Sequence, residues 1–126
     1  MPAVAPTFPS FLESLKDPGS RTALSAVRLA DALELPIQEL AGLARVHRNT
    51  VQSAPTSPKL QSAMRDVVRV LSAAYALSGD MDRTLFWFRN HPIADFGHLT
   101  PIELVEKGKV QAVIDYIESL GAGATG

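Results

Sequence analysis

The chain contains no cysteine among its 126 residues. That absence excludes disulfide bonds and thiolate metal sites, and it is compatible with a reducing compartment. The sequence also lacks any apolar run near the roughly 18 residues that a membrane-spanning helix requires. Residues 1–6 show neither the basic start nor the apolar stretch of a secretory signal. We therefore expect a cytoplasmic protein that does not enter a membrane.

Sequence signatures of catalysis are missing as well. There is no glycine-rich phosphate loop and no His-Glu-x-x-His zinc motif. His91, Asp95 and His98 fall on one predicted loop, but two histidines and one aspartate on irregular chain form a weak metal site. The serines within residues 53–62 lack a partnered base. We expect no enzyme, no metal and no cofactor.

What the sequence does contain is a succession of helical signals. Apolar residues make up 46% of the chain and recur at three- and four-residue steps, while no segment alternates as a strand does. The predicted fold class is all-α, with a helix-turn-helix domain followed by a small C-terminal helical domain. Residues 1–19 hold four prolines and are predicted to form a mostly irregular arm with one short turn around Phe11–Leu15. Residues 20–78 are assigned to the first domain with a long connecting helix, and residues 79–126 to the second.

Several helix boundaries can be predicted from local chemistry. Ser57 followed by proline is typical of a cap and first turn, and Gly79 should end the long helix that follows. Residues 100–103 read Thr-Pro-Ile-Glu, the pattern of a capping box. Gly108 is expected to close that short helix, and Gly121 to end the last one.

Charge is divided unevenly along the chain, although the net charge is only −1. Residues 20–70 hold seven basic and four acidic residues, whereas residues 71–126 hold four basic and seven acidic residues. A basic front half can approach phosphates more easily than an acidic back half.

Residues 36–54 form two short amphipathic helices around a turn, with Leu40 and Val51 predicted to face inward. Their outward edge carries arginine, asparagine and glutamine, the residue types that recognise guanine and adenine in the major groove. The expected DNA contacts are Arg45, His47, Arg48, Asn49, Thr50 and Gln52. Arg45 occupies a turn position usually given to glycine, and His47 a cap position usually given to serine or threonine. A helical hairpin with a merely solvated polar face is the alternative interpretation.

The back half carries two apolar features. Phe86, Trp87 and Phe88 are consecutive, and one helix cannot direct three neighbouring side chains at one core, so at least one should be exposed or used by a partner. The apolar face from Val110 to Leu120 is open to two interpretations, intramolecular core or partner interface.

The order of motifs in this half is specific. Trp87–Pro92 is followed by Gly97, then by Thr100–Val105, and finally by an apolar helix ending near Glu118. This order resembles the C-terminal domain of the Xre/MbcA/ParS-type antitoxins, in which a helix-turn-helix precedes such a region. The chain departs from the family pattern where Ile93 replaces asparagine, where Phe96 replaces leucine, and where Tyr116 replaces arginine.

The resemblance implies a function. Antitoxins of this type pair with a RES-domain toxin, which consumes NAD or transfers ADP-ribose from it, and their C-terminal helix and tail cover the toxin's active-site cleft. The complex binds its own operator, a double-stranded DNA. The implied toxin contacts are Trp87, Tyr116, Ile117, Glu118, Leu120, Gly121, Ala122 and Gly123. A homodimer or a larger toxin–antitoxin complex is expected. The alternatives are a stand-alone helix-turn-helix transcription regulator with a C-terminal dimerisation or ligand domain, and a helical adaptor.

Overall fold

The computed structural model describes residues 6–125, and side-chain surroundings as far as Ala122. Within that part there is no strand, and the isolated β-bridges pair Lys16 with Leu24 and Ile93 with Leu99. The predicted all-α class is therefore confirmed, and the arrangement is compatible with a helix-turn-helix followed by a C-terminal helical segment. The helices are α1 (Phe8–Ser14), α2 (Ala26–Leu33), α3 (Ile37–Ala44), α4 (Arg48–Ser53), α5 (Pro58–Ser78), α6 (Met81–Asn90), α7 (Pro101–Glu106) and α8 (Val110–Thr125), with a 3₁₀ turn at Ala94–Phe96.

Helix α5 is the central element of the fold. It is 21 residues long, and helices α1, α3, α6, α7 and α8 all pack against it. One broad side of it is fully buried, and the opposite side, which includes Ser62, Arg65 and Arg69, is exposed. The buried side chains are Leu60, Met64, Val67, Val70 and Leu71. An apolar stripe of this width is typical of a helix that packs one side against a core.

Helix α8 runs parallel to α5. Arg69 Nη2 donates to Gln111 Oε1 at 3.0 Å near the start of α8, while Gly121 meets Leu77 near its end. A Cβ atom at Gly121 would lie 2.9 Å from Leu77 Cδ2, so the exposed end of the Leu77 side chain would have to shift to admit one. The prediction that Gly121 ends the last helix is wrong, since α8 continues to Thr125. Packing against α5 outweighs the roughly 1 kcal/mol that an interior helical glycine costs.

The prediction of an irregular N-terminal arm is wrong for residues 8–14, which form α1. Thr7 caps this helix by accepting from the Ser10 N–H at 3.2 Å. Phe11 and Leu15 are buried in the core, and the Phe8 ring lies 5.9 Å from that of Tyr75 on α5. Pro9, the proline within α1, does not prevent the helix because it falls in the first turn, where its missing N–H is not needed.

Most of the other predicted helix boundaries are confirmed. Ser57 accepts from the Leu60 N–H at 3.5 Å to cap α5, and the residue after α5, Gly79, has the left-handed φ of 66°. Thr100 and Glu103 form the predicted capping box at the start of α7. The hydrogen bonds from the Thr100 backbone and hydroxyl hold the pKa of the Glu103 carboxyl below its usual value.

The core is continuous along the described chain. One cluster of buried side chains includes Leu15 from α1, Leu71 from α5 and Phe88 from α6. Side chains from all three predicted segments thus share one core, and the division into an arm and two domains stays a prediction. Among the helices of residues 6–125, none combines the length and hydropathy needed to cross a bilayer.

Gln61 is a buried polar residue on α5 that fixes two chain segments. Its Oε1 accepts from the Leu24 N–H at 2.9 Å, while its Nε2 donates to the carbonyl oxygens of Leu24 and Pro55, each at 2.9 Å. The side-chain amide therefore satisfies backbone groups both before α2 and before α5. Because these groups are partly or wholly shielded from water, their hydrogen bonds are costly to lose.

We expect the substitution Gln61→Leu to lower the free energy of unfolding by about 2–3 kcal/mol, because it leaves one buried N–H and two carbonyls without this partner. The exposed Gln38 on α3 offers the matched control, since Gln38→Leu makes the same chemical change at the surface and should cost less than about 0.5 kcal/mol. Urea unfolding followed by circular dichroism measures both. Equal effects at the two positions would show that the Gln61 hydrogen bonds contribute nothing specific.

Candidate nucleic-acid interface and partner surface

Helices α3 and α4 pack against each other across a three-residue turn, Arg45–His47. Leu40 and Val51 are buried as predicted, and Ala41 is buried as well. A small residue where two short helices meet lets them approach closely, which is the geometry that a helix-turn-helix requires. The pair is therefore built to hold the exposed side of α4 in a fixed position.

Arg45 adopts the left-handed backbone conformation, with φ 57° and ψ 41°. Its N–H donates to the Gly42 carbonyl at 3.0 Å, and the next N–H, that of Val46, donates to the Ala41 carbonyl at 3.0 Å. These bonds satisfy the last carbonyls of α3 and turn the chain into α4. Arginine thus occupies the glycine position with glycine's conformation, at a cost of about 1–2 kcal/mol.

The Arg45 side chain is partly engaged within the chain. Its Nη2 donates to the carbonyl of Glu106, the last residue of α7, over a long 3.4 Å. A cation near the C-terminus of a helix is favourable because carbonyls there carry partial negative charge. Of the predicted DNA contacts, Arg45 is the one whose side chain already has a partner in another helix.

His47 caps α4 through its ring. The Nδ1 atom accepts from the Asn49 N–H at 3.1 Å, so histidine performs the capping that serine or threonine usually provides. An accepting Nδ1 is unprotonated, which leaves the proton of the neutral ring on Nε2. The ring is exposed, and Nε2 can therefore donate to an external acceptor such as a phosphate oxygen.

The outward side of α4 carries the remaining predicted contacts. Arg48, Asn49 and Gln52 are exposed, and Thr50 is half-buried. Within residues 6–125, no hydrogen bond or ion pair engages the side chains of Arg48, Asn49 or Gln52. These three side chains are held by a rigid element and are available to a partner.

Two apolar residues beside this edge were not identified from the sequence. Val27 on α2 and Ile37 on α3 line a shallow groove together with Arg48, Asn49 and Gln52. Val27 has 55% of its surface exposed. No signal in the sequence marked Val27 as exposed, since adjacent helical residues can both be buried, as Leu29 and Ala30 are. Apolar side chains at a DNA interface suit contact with a thymine methyl group.

The residues implied for toxin contact do not share one surface. Tyr116 and Leu120 are four residues apart and lie on one side of α8, where the Tyr116 ring meets Phe96 edge-on at 5.9 Å. Leu120 has 46% of its surface exposed and lines a hollow with Trp87. Glu118 is exposed on another side, where it lines a groove with residues of α1 and α5.

The expectation that Ile117 contacts a toxin is corrected by the structure. Only 2% of its surface is exposed, so it belongs to the intramolecular core and not to a surface for a partner. Gly121 is half-buried against α5 and Ala122 is exposed. Gly123 falls within α8, and its surroundings lie outside the described residues.

The three consecutive aromatics of α6 point in different directions, as the helical geometry predicts. Phe88 is fully buried, Trp87 is half-buried with its ring 6.2 Å from that of His91, and Phe86 has 64% of its surface exposed. The expectation that at least one of them is exposed is confirmed. Elsewhere in residues 6–125, His91, Asp95 and His98 do not form part of any cluster of three or more potential metal ligands.

In comparisons with known proteins, no family model, no curated protein and no solved structure matches the chain. Inferences about function therefore rest on the geometry of the Arg45–His47 turn, of α4 and of the hollow beside Trp87.

We expect Arg45→Gly to be more stable than Arg45→Ala by about 1 kcal/mol, because both remove the side chain but only glycine adopts a positive φ without strain. At Gln52, in the helical part of α4, the order should reverse, with Gln52→Gly less stable than Gln52→Ala by a similar amount. Thermal unfolding of the four variants measures both differences. The same order at both positions would contradict the left-handed turn.

Proposed function

We propose that the chain is the antitoxin of a type II toxin–antitoxin system, which binds operator DNA through α4 and neutralises a RES-domain toxin through its C-terminal part. The DNA-binding part of the proposal rests on the exposed edge of α4. There the side chains of Arg48, Asn49 and Gln52 have no partner among residues 6–125. The toxin-neutralising part of the proposal rests on the resemblance of residues 87–118 to the Xre/MbcA/ParS-type antitoxins.

The arrangement of the turn supports DNA binding. The left-handed Arg45 and the His47 cap fix the direction in which α4 leaves α3. Base recognition requires such a fixed helix, because a bidentate contact tolerates little displacement. In this proposal His47 contributes an Nε2 proton to a phosphate, while the long side chains of α4 reach base edges. Two copies would place two such helices about 34–36 Å apart on successive half-sites.

The toxin contacts that remain after the correction of Ile117 lie mainly around the end of α8. Leu120 and Ala122 are exposed, and Trp87 stands beside Leu120 across the hollow. Tryptophan is among the residue types enriched where one protein anchors another, and Leu120 adds exposed apolar surface beside it. The proposed complex contains the toxin and this protein, in a homodimer or a larger assembly.

A stand-alone transcription regulator is the second candidate. The apolar hollow lined by Leu77, Trp87 and Leu120 favours it, because such a site suits dimerisation or a ligand. This candidate shares the DNA-binding half and differs only in what covers the end of α8.

For DNA binding we expect Arg48→Ala and Asn49→Ala each to weaken affinity for DNA from upstream of the protein's own gene by about 1–3 kcal/mol. The exposed Arg65 on α5 provides the control, since Arg65→Ala removes the same charge outside α4. Fluorescence anisotropy at one fixed salt concentration measures all three. Unchanged affinity in both α4 variants would instead favour a helical adaptor that does not read DNA.

For toxin neutralisation we expect Leu120→Asp to abolish protection when the protein is coexpressed with the product of the neighbouring gene, while affinity for upstream DNA is retained. The neighbouring Ser119→Asp adds the same charge at an exposed position on another side of α8 and should still protect. If the neighbouring product is harmless alone, or kills beside the unaltered protein, the antitoxin proposal fails. If Leu120→Asp loses self-association instead, the stand-alone regulator is favoured.

A further inference from the structure

The described chain encloses an apolar hollow between the ends of α5 and α8 and the first turns of α6. Its volume is about 190 Å³. An apolar cavity of about 150 Å³ is large enough to hold benzene. The walls are Ala74, Leu77, Ser78, Arg83, Thr84, Trp87, Ile117 and Leu120.

The hollow is apolar inside and carries one cation at its edge. Ala74 and Ile117 are buried and form its inner wall, whereas Leu77 and Leu120 are 48% and 46% exposed and flank its opening. Arg83 is exposed and forms no ion pair or side-chain hydrogen bond with any of residues 6–125. The hollow thus offers an apolar cavity beside a guanidinium group that is free to bind a carboxylate.

The two hydroxyl groups of the wall already have partners within the chain. The Thr84 hydroxyl donates to the Asp80 carbonyl at 2.8 Å and lies 2.8 Å from the Ser78 hydroxyl. Asp80, three residues before Arg83, uses its Oδ1 to accept the Arg83 backbone N–H at 3.0 Å. Among the residues that line the hollow, Arg83 is the one with a charged side chain, so recognition of an anion falls to it.

We propose that this hollow binds a small aromatic or branched aliphatic carboxylate, with the apolar end among Ala74, Trp87 and Ile117 and the carboxylate on Arg83. A ring fills a volume of this size, and its carboxylate, two or three carbons away, reaches the edge where Arg83 lies. The proposal concerns a ligand site and does not rest on DNA or toxin binding. It names the class of molecule that a ligand-responsive regulator of this fold would sense.

The chain supplies its own reporter, because Trp87 is its single tryptophan and lines the hollow. We expect 3-phenylpropanoate to change Trp87 fluorescence saturably, with a dissociation constant of about 1 mM, given the ceiling on binding free energy per atom for a ligand of this size. The neutral 3-phenylpropanamide has the same shape and should bind about fivefold more weakly.

Two variants separate the carboxylate contact from general effects of charge. Arg83→Gln should weaken 3-phenylpropanoate about fivefold and leave the amide unaffected, whereas Arg65→Gln removes a charge elsewhere and should change neither. Both positions are exposed, so both variants should fold, which circular dichroism checks. Sedimentation at increasing protein concentration shows whether a second copy occupies the site.

Several results would overturn the proposal. One is the absence of a saturable fluorescence response up to 10 mM 3-phenylpropanoate, roughly ten times the expected dissociation constant. Another is equal affinity for the acid and the amide. A third is an unchanged affinity of Arg83→Gln for 3-phenylpropanoate. A dimer that forms without ligand and is weakened by Leu77→Asp would also overturn it, since the hollow would then be an interface between copies of the chain.

Discussion

The burial of α5 is the constraint on which the remaining structure depends. Fully buried residues such as Met64, Val67 and Leu71 make one broad side of this 21-residue helix apolar, and that side must be covered. Helices α1, α3, α6, α7 and α8 cover it, and all of these except the 16-residue α8 are too short to be stable alone in water. The short helices that carry the candidate sites are therefore ordered mainly by their contact with the core around α5.

This dependence explains how a six-residue helix can hold a fixed position, as the proposed recognition role requires. Helix α4 makes few contacts of its own, and Val51 is its buried anchor. Its position is fixed by the left-handed Arg45, by the His47 cap and by the α3 surface beneath it. Arg45 also reaches the end of α7, so the turn is tied to the C-terminal segment. A change in that segment can therefore reach the exposed edge of α4 through one weak contact.

The end of α8 is where the two candidate functions and the ligand site converge. Leu120 and Trp87 face the same hollow, whether it receives a toxin, a second copy or a small carboxylate. Only one of these can occupy it at a time, because the opening is flanked by the same two leucines. A toxin, a second copy and a small carboxylate would therefore compete for the hollow.

The sequence by itself determined the all-α class, the capping box at Thr100, the cap at Ser57 and the inward direction of Val51, because these depend on local periodicity and on short-range hydrogen bonds. It did not determine that residues 8–14 form a helix, since their apolar spacing has meaning only once α5 provides a surface for Phe11. Nor could it decide that α8 passes Gly121 without ending, or that Ile117 is buried while Leu120 is exposed. Those outcomes depend on which side of α8 meets α5, and contacts between residues more than 40 positions apart decide that.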